Sequence, residues 1–124
     1  MQILVIDDHE ELLNTTKEIL EDVGHNCSTA LDGEAALKLF QEDDFDLIIT
    51  DVQMPRMGGI ELITLIRRGD KHPNIPIMAT SGNMNTYEAA LKDIGATYTI
   101  CKTDGDGLYR VIDEVSTALV AEGA

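Results

Sequence analysis

Strand-like apolar runs alternate with stretches of helical spacing five times along this 124-residue chain. The runs are Ile3 to Ile6, Cys27 to Thr29, residues 46 to 50, Ile77 to Thr80 and Tyr98 to Cys101. The first helix is predicted over 9–22, with Leu12, Thr16, Ile19, Leu20 and Val23 on one stripe, and Gly24 closes it. Asp32 is a candidate N-cap for the second, which carries Ala35, Ala36, Leu39 and Phe40 inward. The third covers about 59–68, with Ile60, Ile63 and Ile66 buried. The fourth, about 85–94, has a weak apolar side of Tyr87, Ala90, Leu91 and Ile94. The fifth, about 105–120, has a long stripe of Leu108, Ile112, Val115 and Leu119, widened by Val111.

Strand–helix units in succession need right-handed crossovers, and helices on both faces then dictate a parallel, doubly wound α/β sheet in three layers. The third run, Leu47-Ile48-Ile49, is continuously apolar rather than alternating, as a central strand covered on both faces must be. Cys27-Ser28-Thr29 has few large apolar residues and suits an edge. Of the common strand orders, 2-1-3-4-5 puts strands 1 and 3 side by side in the middle; the sequence alone does not choose it.

The length allows one domain with a real core, and a single domain over residues 1–124 is expected, with no output domain. The charge balance is 23 acidic against 9 basic residues, a net of −14. Nucleic acid and anionic membranes need a basic face, so direct binding to either is not expected; a basic partner or a bound cation fits better. Acidity also serves plain solubility. Two cysteines, Cys27 and Cys101, suggest neither a disulfide framework nor a zinc site. No stretch approaches the roughly 20 apolar residues of a membrane span, and no basic leader precedes the first strand, so a cytoplasmic location is expected.

The chemistry gathers at the strand ends. Asp7 and Asp8 follow strand 1, Asp51 ends strand 3, Ser81 follows strand 4 and Lys102 follows strand 5. In a parallel sheet these ends share one edge, where open α/β folds place their sites. Three carboxylates there repel one another, so one keeps a proton or a cation binds. All-oxygen ligands favour Mg2+, held by Asp8, Asp51 and a loop carbonyl near Gln53, with Asp7 acting through water. Asp51 is then placed to attack a phosphoryl group, with Lys102 and Mg2+ neutralising its oxygens and Ser81 donating a hydrogen bond. Taken singly, Asp7-Asp8 could merely cap the first helix, Lys102 could pair with Asp104, and Ser81 could be a turn residue.

These motifs carry a resemblance. Asp7-Asp8 after a strand, Asp51-Val52-Gln53-Met54-Pro55-Arg56-Met57-Gly58-Gly59, Thr80-Ser81-Gly82, and Gly95-Ala96 ahead of Lys102 together resemble the receiver domain of two-component response regulators, in particular its stand-alone, chemotaxis-type members. The resemblance covers the whole chain. It implies a flavodoxin-like (βα)5 fold in order 2-1-3-4-5. It implies phosphorylation of Asp51 by a sensor histidine kinase, a histidine phosphotransfer protein or a small phosphodonor. It also implies direct Mg2+ ligation by Asp8 and Asp51, a switch hydroxyl at Ser81, and contact of Lys102 with the phosphoryl group. The output is binding of a downstream protein partner, expected on the face of helix 4, strand 5 and helix 5, where Tyr87, Tyr98 and Tyr109 are candidate surface residues. Catalysis extends to the chain's own Mg2+-dependent phosphorylation and slow autodephosphorylation rather than to turnover of a substrate. Gln53 and Asn83, two residues beyond Asp51 and Ser81, line the water path and tune that hydrolysis; their amides cannot act as bases.

Two positions depart from the family pattern. An aromatic residue usually stands three places before the lysine; here that place is Thr99, and the tyrosine is Tyr98, which a one-residue shift turns to the other face. Proline usually follows the lysine; here it is Thr103, so a trans bond is expected. The rival readings are a pseudo-receiver that binds partners without phosphate switching and a small Mg2+-dependent phosphatase. A phosphatase lacks a second suitably placed carboxylate after Asp51, and His9 and His25 are poor substitutes. A cofactor binder of flavodoxin type would meet repulsion from Asp7-Asp8-His9-Glu10-Glu11.

Overall fold

The structure, a computed structural model, describes residues 1–123. Its elements are β1 (Gln2–Ile6), α1 (Glu10–Asp22), β2 (Asn26–Ala30), α2 (Gly33–Glu42), β3 (Leu47–Asp51), α3 (Gly59–Arg68), β4 (Ile77–Ser81), α4 (Met84–Asp93), β5 (Tyr98–Cys101) and α5 (Gly107–Gly123). The strands lie in the order β2-β1-β3-β4-β5, and every pair is parallel. This is the flavodoxin-like arrangement expected, with β2 on an edge and β3 in the centre.

The two faces of the sheet explain the continuous apolar runs. Leu4, Ile6, Ile48, Ile77 and Ala79 pack with Ala36 and Phe40 of α2, Leu62, Ile63 and Ile66 of α3, and Leu91 of α4. Their alternate neighbours Ile3, Val5, Leu47, Ile49 and Met78 pack with Leu13 and Leu20 of α1 and Val111, Ile112 and Val115 of α5. Each buried aliphatic side chain is worth about 1.5–3 kcal/mol relative to exposure, so both layers bind the sheet firmly.

The helical stripes differ in detail from those predicted. On α1 the inward residues are Leu13 and Leu20, while Leu12 and Val23 are 49% and 56% exposed. Leu12 and Leu13 are adjacent and equally apolar, so only the angle at which the helix lies on the sheet chooses between them. On α2 Ala36 is buried and Ala35 exposed, and on α4 Ala90 is exposed. Helix α5 starts at Gly107, two residues later than predicted, and β3 extends to include Asp51. No peptide bond among the described residues is cis, so the bond after Lys102 is trans as expected. No described helix is long and apolar enough to cross a membrane.

Candidate functional site

Asp51 closes β3 on the carboxyl edge, only 5% exposed. The chain leaves it by a tight turn. The Val52 N–H donates to the Thr80 carbonyl at 3.1 Å, and the Gly59 N–H donates back to the Val52 carbonyl at 2.9 Å. A side chain at Gly59 would collide with the Asp51 carbonyl oxygen, so glycine is required for that return. The Val52 N–H is shared with the Asp51 carboxylate, whose Oδ1 accepts from it at 2.8 Å.

The other carboxylate oxygen meets the lysine. Lys102 Nζ lies 3.1 Å from Asp51 Oδ2 and 3.5 Å from Asp7 Oδ2. The Lys102 N–H donates to the Ser81 carbonyl at 3.1 Å, which ties the start of the β5–α5 loop to the end of β4 and brings the ammonium over the edge. Asp104 is paired with Arg110 at 2.7 Å instead, which leaves the lysine to the site.

Burial raises the Asp51 pKa first of all; Lys102 opposes this and Asp7 adds to it, and the net shift is upward. Burial works against the Lys102 charge too, but the hydrogen bond and the field of Asp51, with Asp7 behind them, hold its pKa above the ordinary lysine value. The pair therefore favours the charge on the lysine more than the charge on the aspartate. The lysine is only partly buried and has two carboxylates, whereas the aspartate is deeply placed and shares one lysine with a like charge.

Asp7 and Asp8 stand at the end of β1. Asp7 Oδ1 accepts from the His9 N–H at 2.9 Å, and the His9 ring nitrogen lies 3.5 Å from both carboxylates. The candidate ligand atoms of Asp7, Asp8 and His9 all lie within 4.8 Å of one another. Asp51 is not in that group; its Oδ2 is engaged by Lys102. His9, which caps α1 from an exposed position, is the neighbour that sequence reasoning set aside. Asp7 and Asp51 share one ammonium and Asp8 stands beside Asp7, which leaves an excess of negative charge, and oxygen donors of this kind fit a hard cation such as Mg2+.

Residues 3–113 match the response regulator receiver domain. The chain belongs to that family. It is 37% identical over 95 residues to the chemotaxis protein CheY-3 of Vibrio cholerae, covering 76% of this chain and 69% of that one. It is 35% identical over 91 residues to the CAI-1 autoinducer sensor kinase/phosphatase CqsS of the same species, covering 73% of this chain but 13% of that one. Among solved structures, the response regulator TrrA of Thermotoga maritima in complex with Mg(2+)-BeF superposes with a TM-score of 0.82 at 30% identity, over 92% of this chain and 97% of that one. Receiver domains serve phosphorylation-dependent signalling in two-component systems, interact with histidine kinases and generally bind Mg2+.

Around the acidic centre of this receiver, the remaining expected residues are less tightly gathered. Ser81 is 2% exposed, and its Oγ accepts from the Asn83 N–H at 3.0 Å rather than contacting Asp51. Gln53 and Asn83 are exposed on the rim. Thr99 donates to Glu88 Oε1 at 3.4 Å, and Glu88 is paired with Lys92 at 2.9 Å. Tyr98 packs on the opposite face of the sheet, in the layer of α1 and α5. Of the three tyrosines, Tyr109 is half exposed, while Tyr87 and Tyr98 are partly buried packing residues.

Asp32 does cap α2, accepting from the Ala35 N–H at 2.9 Å. The sequence reading missed its second partner, Arg56, whose Nε lies 2.9 Å from the other carboxylate oxygen. Nothing in the local pattern marks two residues so far apart as partners.

Proposed function

We propose that this receiver takes a phosphoryl group on Asp51 and passes the signal on by changing partner binding through α4, β5 and α5. The donor is a histidine kinase, a histidine phosphotransfer protein or a small phosphodonor. The observation that carries this reading is Lys102 Nζ at 3.1 Å from a buried Asp51 carboxylate that also faces Asp7. An isolated structural ion pair would not need a second carboxylate pressed against it.

In the transfer, a carboxylate oxygen of Asp51 forms a new bond to phosphorus while the bond to the donor atom breaks. The electron pair leaves with the donor: a histidine nitrogen takes a proton from solvent, whereas a small acyl phosphate releases its carboxylate as the anion. Lys102, already in place, follows charge from the carboxylate to the phosphoryl oxygens. Asp8, Asp51 and the Gln53 carbonyl would hold Mg2+, with Asp7 acting through water, and the ion supplies positive charge toward the phosphoryl oxygens when bound. That TrrA was solved with Mg(2+)-BeF supports this assignment by likeness.

Ser81 carries the readout. Its hydroxyl now holds the Asn83 N–H. A phosphoryl group on Asp51 offers stronger acceptors, and Ser81 turning to donate to them releases the start of α4. Exposed Gln53 and Asn83 set water access, and the acyl phosphate should persist for minutes or longer.

The test is labelling with radioactive acetyl phosphate, with and without Mg2+. Wild type should be labelled only with Mg2+, and Asp51→Asn should not be labelled although it folds. Lys102→Ala should lose transfer more than stability. Undiminished labelling of Asp51→Asn would remove Asp51 as acceptor. No labelling of wild type, with partner capture independent of phosphate, would instead make the chain a pseudo-receiver.

A further inference from the structure

The loop from Val52 to Gly58 has its outer limb held by α2. The Gly33 N–H donates to the Met57 carbonyl at 2.9 Å. A Cβ on Gly33 would lie 2.6 Å from that oxygen, so the two backbones touch. Next to Met57, Arg56 has φ of 64°, a left-handed conformation that side-chain-bearing residues seldom adopt. Its guanidinium grips Asp32 Oδ2 through both Nε and Nη2. Asp32 is 5% exposed, and its other oxygen caps α2. One buried carboxylate therefore starts a helix and holds a loop.

Packing does not explain the arginine. Its side chain is 64% exposed, so it adds little to the core. Glycine would take the same backbone conformation without strain. Among the described residues, the side chain's hydrogen bonds all go to Asp32. Strain retained in a loop that leads from a chemical centre points to a positional role. Between this grip and Asp51 lie only Val52, Gln53, Met54 and Pro55, and Met54 is itself packed against the core. Seven loop residues are thus reduced to a short span fixed at each end.

We infer that Arg56 is a positioning residue for the cation site: its grip on Asp32 fixes the β3–α3 loop against α2 and keeps the Gln53 carbonyl available as a ligand beside Asp51. This rests on the Mg2+ site of the proposed function. Removing an outer partner that orients a ligand typically weakens metal binding about 10–100-fold.

The test measures magnesium chloride binding to the full chain by calorimetry, together with thermal melts and acetyl phosphate labelling against Mg2+ concentration. Arg56→Gly should bind Mg2+ about tenfold more weakly. Its melting temperature should stay near wild type, because glycine relaxes the left-handed backbone. Its labelling should need more Mg2+ yet recover at saturation, and its Gln53 and Met54 amides should exchange faster. Arg56→Lys, charged but without the planar fork, should fall between. Asp32→Asn keeps a cap acceptor and should show the Arg56→Gly defect, with the double variant no worse. If Arg56→Gly fails to fold, Arg56→Lys and Asp32→Asn decide the matter by the same titration. Wild-type Mg2+ affinity in these variants overturns the role of Arg56 alone. Failure of wild type itself to bind Mg2+ and take label overturns the proposed function, and this inference with it.

Discussion

Asp51 carries a charge that its surroundings disfavour. Burial is the main cause, Asp7 adds to it, and Lys102 offsets only part. A carboxyl whose pKa is raised by folding holds its proton better in the native state, so its protonated form favours folding. Ionising it costs stability as pH rises through the usual carboxylate range and past the raised value. Lys102 has the opposite sense: its stabilisation is present below the ordinary lysine pKa and is lost as pH rises through its own raised value. Without Mg2+ at pH 7, Asp51→Asn should therefore melt at or above wild type, and the difference should shrink as pH falls toward 4, about the usual carboxylate pKa. Melts across this pH range check it. A clearly lower melting temperature for the variant at pH 7 would show that the Lys102 ion pair outweighs the burial of the charge.

At the scale of elements, the edge is rigid on one side and loose on the other. The β3–α3 turn is constrained by backbone contact, and Gly59→Ala drives a methyl into the Asp51 carbonyl. It should cost about 1–3 kcal/mol in urea denaturation, the range for overpacking. Phosphoryl transfer should fall too, because the displaced atom belongs to Asp51, the proposed acceptor. Helix α4 is different. It buries only Met84 and Leu91, and its N-cap Asn83 makes no side-chain cap bond. Its far end is pinned. Arg67 donates to the carbonyls of Gly95, Pro73 and Ile75, and Gly95 takes φ of 105° beneath it. On the proposed activation, movement is therefore expected at the first turn of α4. Amide exchange at Asn85 and Thr86 should be faster than in the middle of α3 and should change when beryllofluoride and Mg2+ are added together. Unchanged exchange there, with the site occupied, would place the readout elsewhere.

For the molecule as a whole, the net charge of −14 and the carboxylate edge act together. A cation that binds only the native state stabilises it by mass action, about 2.7 kcal/mol at one hundred times its dissociation constant. Calorimetry should show the wild-type melting temperature rising with Mg2+ and that of Asp51→Asn rising much less. An equal rise in both would assign the ion to the rest of the acidic surface. The chain spans 13% of CqsS and 69% of CheY-3, so the same fold serves proteins of different size.

The sequence by itself determined the parallel sheet, the central place of Leu47-Ile48-Ile49 and the carboxylates at the strand ends, because apolar periodicity is local and the crossover rule for successive strand–helix units then fixes strand direction. It also separated Tyr98 from Thr99, since neighbours on a strand face opposite ways. The tertiary structure alone decided that Leu13 rather than Leu12 turns inward, that Ser81 holds the Asn83 N–H, and that His9 joins Asp7 and Asp8. It alone paired Arg56 with Asp32, because a left-handed loop residue and a partner at the cap of a helix leave no period in the chain. The 3.1 Å approach of Lys102 to Asp51 combines both: the fold's topology brings the strand ends together, and the bond from Lys102 to the Ser81 carbonyl sets the distance.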